Sequence, residues 1–400
     1  MKFSIEQILK IPTVKVLVCE EIEGLGFIVA IEKIEKYCPC PKCGKITYSI
    51  HQKHWRMVRD LPWGEKPVML RINRRQFRCK NCPKIFSEDL EFIDQQRGYT
   101  KRFAKEIVRQ VLDSNIRSVG ERNDVSEEEI QSMIDASGEE IKTDLSEIKR
   151  LGIDEIALVK GQGKYLGVLV DLDRGKLIDI VSSRRQLEMR KALQNMGSEV
   201  LEGIKEVSID LWKAYKVLVE ELMPNANVIA DRFHVMKQVN NELDAQRKAE
   251  KKAALENKNK SIKDSVLAGI NQSKYALLKN EDSLTAAQKE KLKCVQEVSP
   301  TLGEMHRLKE EFRDIFEEKN SCGEGLLKLL DWMNNAQLNF PRSTKTIARW
   351  LGEIVGYFEQ KTTSGMVEGI NNKLKLIKRL GYGFRNFSNF RLRCLLSWNY

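Results

Sequence analysis

The chain has 400 residues and a mass of 46.2 kDa, enough for about two or three domains of ordinary size. Hydrophobic residues make up 42% of the sequence and charged residues 31%, and 68 Lys and Arg against 57 Asp and Glu give a formal net charge of +11. This composition excludes a largely disordered chain, and the sequence has no apolar run near the roughly 20 residues of a membrane helix, which excludes a bilayer-spanning class.

The amino terminus and the cysteines favour a protein of the reducing cytoplasm. The first ten residues, MKFSIEQILK, have neither the long apolar stretch nor the small-residue cleavage site of a secretory signal. The nine cysteines are an odd number, so metal ligands or free thiols are expected rather than a disulfide framework. Four isolated cysteines are expected to be small buried residues: Cys19, Cys294, Cys322 and Cys394.

The positive charge is concentrated in two segments. Residues 45–84 contain 11 Lys and Arg against two acids, and residues 361–400 contain eight against one. Aromatic residues are interleaved with these cations, and neither segment has the pattern of an amphipathic membrane helix. Two basic segments on a nearly neutral body predict a protein that binds nucleic acid.

The first predicted elements are β-strands around paired cysteines. Residues 14–36 alternate in hydrophobicity and place glycines at a turn, which predicts a hairpin. Cys40-Pro-Lys-Cys43 and Cys79-Lys-Asn-Cys82 follow, and a small strand pair that includes VMLRINRRQF is expected between them. Each CxxC pair can direct two thiolates at one tetrahedral ion, so we predict one structural Zn²⁺ held by Cys40, Cys43, Cys79 and Cys82.

Other interpretations of this cysteine region stay open. The four thiols are alternatively unliganded or form a redox CxxC. Cys38 is either a spare thiol or a replacement for Cys40, and His51 or His54 is a less favoured substitute for one cysteine.

Residues 100–150 change to a helical pattern. Ser126 followed by Glu129 is typical of a capping box at a helix start. Two short helices around Val119–Asn123 predict a helix-turn-helix, with an ordinary pair of short helices as the alternative.

Residues 151–231 predict an α/β unit with a mixed sheet. LGIDEIALV, KYLGVLVDL and KLIDIVS form three apolar strands, and helices near 186–204 and 212–222 then alternate with strands at 207–210 and 227–231. From about residue 233 to 345 the chain is charged and helical, and residues 363–397 are helical and basic.

Three acids are candidates for a metal-dependent site. Asp154 lies inside an apolar strand, Asp210 ends another, and Glu368 is the single acid among the cations of residues 361–400. A buried carboxylate is costly without a partner or a metal. Three carboxylates that converge on a sheet suit Mg²⁺ or Mn²⁺, and two such ions support an in-line phosphoryl displacement. The alternative is that these acids are structural or solvated.

Asp231 and His234 form a further candidate pair. A metal or proton-transfer role competes there with a helix cap at Asp231 and an ordinary histidine, which is the favoured interpretation. Asp171 and Asp173 are better explained by a hairpin turn.

Several segments, in order along the chain, resemble bacterial insertion-sequence DDE transposases of the family named ISL-three, whose members carry an N-terminal zinc finger. The segments that carry the resemblance are Cys40–Cys43, Arg59-Asp-Leu-Pro-Trp-Gly64, Arg74-Arg-Gln-Phe-Arg-Cys79, Gly152-Ile-Asp-Glu155, Val207-Ser-Ile-Asp-Leu-Trp-Lys-Ala-Tyr215, Pro224-Asn-Ala226, Ala230-Asp-Arg-Phe-His-Val235, and Val367-Glu-Gly-Ile-Asn-Asn-Lys373 through Gly381-Tyr-Gly-Phe-Arg-Asn-Phe387.

The resemblance implies a multidomain α+β protein with an RNase H-like α/β catalytic domain. The expected domains are a β-rich zinc-finger domain at 1–95, a helical DNA-binding segment at 96–150, the catalytic domain at 151–235 and 345–400, and an α-helical insertion at 236–344. The resemblance also implies a catalytic triad of Asp154, Asp210 and Glu368 with two Mg²⁺ (or Mn²⁺) per site, and it places Asp231 and His234 nearby.

The implied function is transposition. The protein is expected to bind the terminal inverted repeats of double-stranded DNA, cleave a strand and transfer it to a target, as a homo-oligomer in the cytoplasm at the nucleoid. The expected DNA contacts are Arg74, Arg75, Arg78, Lys375, Lys378, Arg379 and Arg385. The alternatives are a zinc-dependent DNA-binding regulator without catalysis and an RNase H-like nuclease.

Overall fold

The computed structural model describes residues 4–94, 97–141, 143–157, 159, 163–360, 365–384 and 386–399. The chain divides into two compact units, one formed by Met1–Ile141 with Leu376–Tyr400 and the other by Lys142–Lys375. The predicted domain division placed residues 376–400 with the catalytic domain, whereas here they pack with the N-terminal residues. Within the described ranges, no helix is long and apolar enough to cross a bilayer.

The described strands are, in chain order, β1 (Val14–Ile22), β2 (Gly26–Lys33), β3 (Cys38–Pro39), β4 (Ile46–Thr47), β5 (Ile50–Trp63), β6 (Lys66–Arg78), β7 (Ile85–Ser87), β8 (Arg150–Ala157), β9 (Tyr165–Asp171), β10 (Lys176–Val181), β11 (Glu206–Ile209) and β12 (Asn227–Ala230).

The described α-helices are α1 (Ile5–Leu9), α2 (Lys101–Leu112), α3 (Ile116–Asn123), α4 (Glu127–Glu139), α5 (Gln186–Gln194), α6 (Ser198–Gly203), α7 (Lys213–Leu222), α8 (Arg232–Glu256), α9 (Lys260–Ile270), α10 (Lys274–Leu278), α11 (Ala286–Val298), α12 (Pro300–Glu317), α13 (Cys322–Ala336), α14 (Pro341–Arg349), α15 (Leu351–Val355), α16 (Tyr357–Gln360), α17 (Gly365–Leu380) and α18 (Phe387–Asn399).

The first unit contains a sheet of order β1-β2-β6-β5, with β7 paired to the end of β6. β1 and β2 form the predicted hairpin, and β5 and β6 form a second, longer hairpin between the cysteine pairs. Gly26 is required where β2 joins β6, because its φ is +91° and an added Cβ would lie 2.2 Å from the Pro67 carbonyl oxygen. One face of the sheet buries aliphatic side chains that include Val29, Val58 and Leu70.

Helices α2, α3 and α4 pack together in the same unit. α3 ends at Asp124, which has a left-handed backbone, and α4 begins where the Ser126 hydroxyl accepts a hydrogen bond from the Glu129 N–H, as predicted. Leu396 of α18 is buried in the core of these helices. Arg393 of α18 donates from its guanidinium to the carbonyl oxygens of Val111 and Ser114, which satisfies groups at the carboxyl end of α2.

The second unit contains a sheet of order β10-β9-β8-β11-β12. β8, β9 and β10 are antiparallel, whereas β8, β11 and β12 are parallel, which confirms the predicted mixed sheet. The helical stretch predicted near 186–204 is two helices, α5 and α6, because Gly197 between them has a φ of +93°.

The predicted helical region after β12 is present as α8 to α14. Its buried side chains, such as Val239 of α8 and Phe312 of α12, belong to the same hydrophobic core as Ile153 and Ile209 of the sheet. The helical region therefore folds onto the sheet as part of one unit. α17 follows with a buried stripe at helical spacing, formed by Val367, Ile370, Leu374 and Ile377.

Candidate functional site

The parallel strands of the second sheet bring three aspartates to one level. Ile153 of β8 pairs with Ile209 of β11, and Ile209 pairs with Ala230 of β12. The next residues along these strands are Asp154, Asp210 and Asp231. Because neighbouring strands lie about 4.8 Å apart, the backbones of the three aspartates stand side by side, with Asp154 inside β8 and Asp210 and Asp231 directly after β11 and β12.

Asp154 is held by a hydrogen bond from α17. Its Oδ1 accepts from the Glu155 N–H at 2.7 Å, and its Oδ2 accepts from Asn371 Nδ2 at 2.5 Å. Burial raises the pKa of Asp154. The helix reaches this position because Gly152 leaves room for it, since an added Cβ there would lie 3.2 Å from the Val367 side chain.

Asp210 presents an oxygen that is buried and unpaired among the described residues. Its Oδ1 is inaccessible to solvent and has no hydrogen-bond partner. Burial, and then the negative charge of Glu155, raise the pKa of Asp210 to about 6. A buried carboxylate oxygen without a donor is an expensive arrangement, and a hard divalent cation would compensate for it.

The helix cap that the sequence analysis favoured at Asp231 is present. Asp231 caps α8 by accepting from the Phe233 N–H at 2.9 Å, and its Oδ2 lies 2.9 Å from His234 Nδ1. Burial lowers the pKa of His234, but the Asp231 bond and the nearby charges of Asp154 and Asp210 outweigh it, so the pKa is raised. The metal or proton-transfer role of the pair stays a prediction.

Glu368 lies on α17 one helical turn before Asn371, the residue that contacts Asp154. Its side chain is exposed. Among the described residues, only four cysteines bring three or more candidate ligand atoms within 4.8 Å of one another. The structure thus groups Asp154 with Asp210 and places Glu368 on the adjoining helix, without gathering the three carboxylates into one cluster.

Two contributors to this site escaped the sequence analysis. Asn371 lies three residues after Glu368, so the helical period was a usable signal for it. Glu155 follows Asp154 in β8 and was treated only as a strand residue. It accepts from Tyr215 at 3.3 Å and pairs with Arg184 at 2.9 Å, contacts that depend on pairing between distant segments.

The second candidate site is the cysteine group of the first unit, formed by Cys40, Cys43, Cys79 and Cys82. The Sγ atoms of Cys40 and Cys82 are 3.5 Å apart, and those of Cys43 and Cys79 are 3.6 Å apart. A tetrahedron with Zn–S bonds near 2.3 Å has edges of about 3.8 Å, so the four thiols fit one zinc ion.

Backbone N–H groups lower the pKa of two of these thiols, Cys79 and Cys40, whereas the neighbouring thiols help raise the pKa of Cys82 to about 12. The N–H of Cys82 lowers the pKa of the Cys79 thiol. Burial opposes ionisation of Cys40, but the N–H groups of Lys42 and Cys43 reduce its pKa to about 6. Cys38 is buried outside the group.

His51 and His54, the possible substitutes for one cysteine ligand, are exposed on β5 and lie outside the four-cysteine group.

The predicted DNA contacts near the cysteines differ in their environments. Arg78 is exposed, and half-buried Arg74 donates to the Glu88 carbonyl oxygen at 3.2 Å. Arg75 is buried, bonded to the Glu88 carboxylate at 2.6 Å and to the Glu35 carbonyl oxygen at 2.6 Å. The prediction for Arg75 needs correction, because a buried, ion-paired guanidinium has a structural role.

The predicted contacts in the carboxyl-terminal segment lie mainly on α17. Lys375 and Arg379 are exposed, and Lys378 is half-buried. Arg385 lies outside the described residues. The exposed cations therefore lie on the same helix as Glu368, so α17 carries both predicted DNA contacts and a predicted catalytic acid.

Comparison with known proteins adds three family matches. A model described as a transposase matches residues 151–394. A model of the zinc finger of the transposases of IS204, IS1001, IS1096 and IS1165 matches residues 36–82, and a model of the helix-turn-helix domain of transposase family ISL3 matches residues 88–138. The first match covers more than half of the chain.

Two curated relatives extend the similarity over most of the sequence. The transposase for insertion sequence element IS1001 of Bordetella parapertussis is 25% identical over 382 residues, or 93% of this chain and 92% of the relative. The transposase for insertion sequence element IS1557 of Mycobacterium tuberculosis is 25% identical over 369 residues, or 87% and 82% of the two chains.

Proposed function

The chain belongs to the ISL3 family of transposases, and from that premise we propose that Asp154, Asp210 and Glu368 carry out metal-dependent DNA strand cleavage and strand transfer. The protein is a DNA-binding transposase, an enzyme that cleaves and transfers DNA. Its four-cysteine group is the site of a structural zinc ion. The assignment of the catalytic carboxylates is our own inference.

The observation that carries the proposal is a buried oxygen of Asp210, at the same level of the sheet as Asp154, that has no hydrogen-bond partner in the described part of the chain. Carboxylates that are desolvated next to one another repel unless a cation lies between them. Hard oxygen ligands at this edge suit Mg²⁺ or Mn²⁺. A site built only to stabilise the fold would have paired these charges internally.

The topology supports an RNase H-like catalytic domain. Three antiparallel strands are followed by two parallel strands, and both aspartates lie on the central parallel pair. The third acid comes from α17, after the helical region that follows β12. We propose the domains as a zinc-binding domain at 1–95, a DNA-binding segment at 96–150, a catalytic domain at 151–235 and 345–375, and an insertion at 236–344, since residues 376–400 pack with the first unit.

In the proposed mechanism, Asp154, Asp210 and Glu368 would hold the two Mg²⁺ ions. When bound, such ions activate the attacking oxygen and stabilise the leaving oxygen of an in-line displacement. Asn371 orients the Asp154 carboxylate through its 2.5 Å hydrogen bond. Glu368 is exposed on the preceding turn of the same helix, and we propose it as the third carboxylate ligand.

The DNA-binding segments would position the element ends for this chemistry. We assign the zinc-binding domain and the helix-turn-helix to the terminal inverted repeats, with phosphate contacts from Arg74, Arg78 and the exposed cations of α17. Joining two element ends requires at least two catalytic subunits, which implies a homo-oligomer acting at the nucleoid.

The test is strand cleavage on duplexes that carry the ends of the protein's own element, with Mg²⁺ present and the nicks mapped. Asp154→Asn, Asp210→Asn and Glu368→Gln should each abolish nicking at the element ends, with DNA binding retained in gel-shift assays. Asp173→Asn is the matched control, because Asp173 is an acid of the same sheet that pairs with Arg150 at 2.7 Å.

Substantial cleavage by any one of the three acid variants would contradict the assignment. Binding of element ends without cleavage by the wild type would favour a regulator. Equal cleavage of element ends and unrelated duplex would favour a nuclease.

A further inference from the structure

Arg184 is held between two aromatic rings beside the candidate active site. Its guanidinium carbon lies 4.7 Å from the centre of the Tyr165 ring and 5.3 Å from that of Trp212. Its backbone N–H donates to the Tyr165 carbonyl oxygen at 3.2 Å. Both rings attract the cation, so the guanidinium is restricted to one position before any ligand arrives.

Glu155 connects this arginine to the catalytic edge. Its Oε2 accepts from Arg184 Nη1 at 2.9 Å, and its Oε1 accepts from the Tyr215 hydroxyl at 3.3 Å. The Tyr215 ring in turn packs edge-on against Trp212 at 4.6 Å. Trp212, whose ring packs on Arg184, donates its backbone N–H to the Asp210 carbonyl oxygen at 2.7 Å, so Arg184 lies beside the strand end that carries Asp210.

The exposure of Arg184 distinguishes it from a cation that only neutralises a carboxylate. Its side chain is 45% exposed, although that of Glu155 is only 12% exposed. In the other sheet, Arg75 pairs with Glu88 and both side chains are buried. A guanidinium has five N–H donors in a planar fork that matches phosphate oxygens, so the exposed edge of Arg184 is suited to a second, anionic ligand.

A DNA strand needs a cation at this position. Asp154, Asp210, Asp231 and Glu155 give the edge a concentration of negative charge that repels a phosphodiester. Divalent ions would offset the repulsion at the reacting phosphate, but its neighbours along the strand need a separate positive group. Arg184 can supply this positive group, because it directly contacts Glu155, one of the four acids.

We propose that Arg184 binds a backbone phosphate of the DNA strand that lies in the candidate active site, next to the phosphate that reacts. This inference rests on the proposed function, since it takes that strand to pass along the carboxylate edge. Tyr165 and Trp212 set the position of the guanidinium, and Glu155 sets its orientation.

The experiment scans the contacted phosphates with neutral substitutes. Methylphosphonates are introduced one at a time around the cleavage position of an element-end duplex, and binding is measured with Ca²⁺, a cation that also takes oxygen ligands, in place of Mg²⁺. Wild type should lose about tenfold in affinity at one phosphate beside the cleaved bond. Arg184→Gln should bind the unmodified duplex correspondingly less tightly and lose its response at that phosphate alone, and its salt dependence should fall by about one unit of slope.

Arg190→Gln is the matched control, because Arg190 pairs with Glu221 on the surface of the same unit. Its phosphate profile should equal that of wild type. If Arg184→Gln does not fold, Arg184→Lys decides, since a lysine keeps the charge but lacks the planar fork and should respond less at the same phosphate. A profile of either folded variant identical to that of wild type would overturn the proposal.

This result is separate from the test of the catalytic acids, because the phosphate scan measures DNA binding and the acid variants are scored by cleavage. Failure of the acid variants to abolish cleavage would contradict the catalytic assignment and leave the phosphate profile interpretable. An unchanged profile would remove the Arg184 contact and leave the catalytic assignment standing.

Discussion

Two buried carboxylates in the first unit are fully paired, whereas one in the second unit is not. In the first unit, Glu88 accepts three hydrogen bonds from Arg75, at 2.6 to 2.9 Å. Asp60 is likewise bonded to Thr100 at 2.7 Å and to Arg102. In the second unit, Asp210 has a buried oxygen without a donor among the described residues. The contrast separates acids that stabilise a fold from acids available for a ligand.

The two candidate metal sites also differ in how their ligands are brought together. The cysteines come as two short motifs, and each motif fixes a pair of ligands through local backbone geometry. The carboxylates come from strands and a helix that are far apart in sequence, so tertiary packing must assemble them. We therefore expect zinc removal to damage the fold and Mg²⁺ removal to leave it intact.

The largest expected effect is the loss of zinc. Cys79→Ser should abolish zinc binding and unfold the sheet around the cysteine group, because a structural zinc contributes folding energy directly. Metal content and the thermal melting of the full chain measure this. Cys38→Ser is the control and should keep about one zinc per chain, since Cys38 lies outside the four-thiol group. Full zinc content in Cys79→Ser would refute the site.

The next largest effect is a loss of stability when Arg75, the partner of Glu88, is replaced. Arg75→Gln should destabilise the protein by about 3–5 kcal/mol, because it leaves Glu88 charged and buried. Arg78→Gln, on the same strand but exposed, should change stability by less than about 0.5 kcal/mol and reduce the salt dependence of DNA binding by about one unit of slope. Chemical denaturation and DNA titrations separate the two. Equal stability losses would contradict the structural role of Arg75.

Removing the charge of Asp210 should stabilise the metal-free protein, whereas removing the partner of Glu88 should destabilise it. The pKa of Asp210 is raised to about 6, so its charged form destabilises the metal-free fold at neutral pH. Asp210→Asn should stabilise the metal-free protein by about 2–3 kcal/mol at pH 7. In wild type, stability should rise as the pH falls from about 7 towards 4, and the variant should lose this part of the rise. Thermal melts in EDTA across this range give the measurement.

Added Mg²⁺ gives a second comparison of wild type with Asp210→Asn. Added Mg²⁺ should raise the melting temperature of wild type at pH 7, because it binds only the folded site, and should have little effect on Asp210→Asn. A variant less stable than wild type in EDTA would contradict the electrostatic account.

The smallest effect is expected at Asn371. Asn371→Ala removes the hydrogen bond to Asp154 and should destabilise the fold by about 1–2 kcal/mol. The pKa of Asp154 should rise further, because the lost hydrogen bond lowers it in wild type. Denaturation detects the first change, and a weaker Mg²⁺ affinity at pH 6 detects the second. An unchanged Mg²⁺ affinity would show that the orientation of Asp154 does not depend on Asn371.

Local patterns account for what the sequence could predict. The CxxC spacing indicated the four thiols, short apolar runs indicated β8 to β12, and Ser126 indicated the start of α4. Arg75 was misjudged because its burial follows from the pairing of β6 with β7, which brings Glu88 beside it. No composition rule distinguishes it from Arg74 or Arg78 in the same run of cations.

The site was predictable only in part for the same reason. Asp154 and Asp210 could be proposed because each lies in or at the end of an apolar strand. Their common level depends on the parallel register of β8 and β11, and the contact with Asn371 joins positions 217 residues apart. Such contacts are set by how the elements pack, which a single sequence does not encode locally.

Helix α18 makes the stability of the three helices α2 to α4 depend on residues distant in the sequence. Arg393 and Leu396 of α18 complete the packing of these helices. Without the two side chains, carbonyl groups at the end of α2 and apolar surface of the three helices would be open to water. A change at either residue is therefore expected to weaken DNA binding through the stability of α2 to α4 and not through a lost contact with DNA.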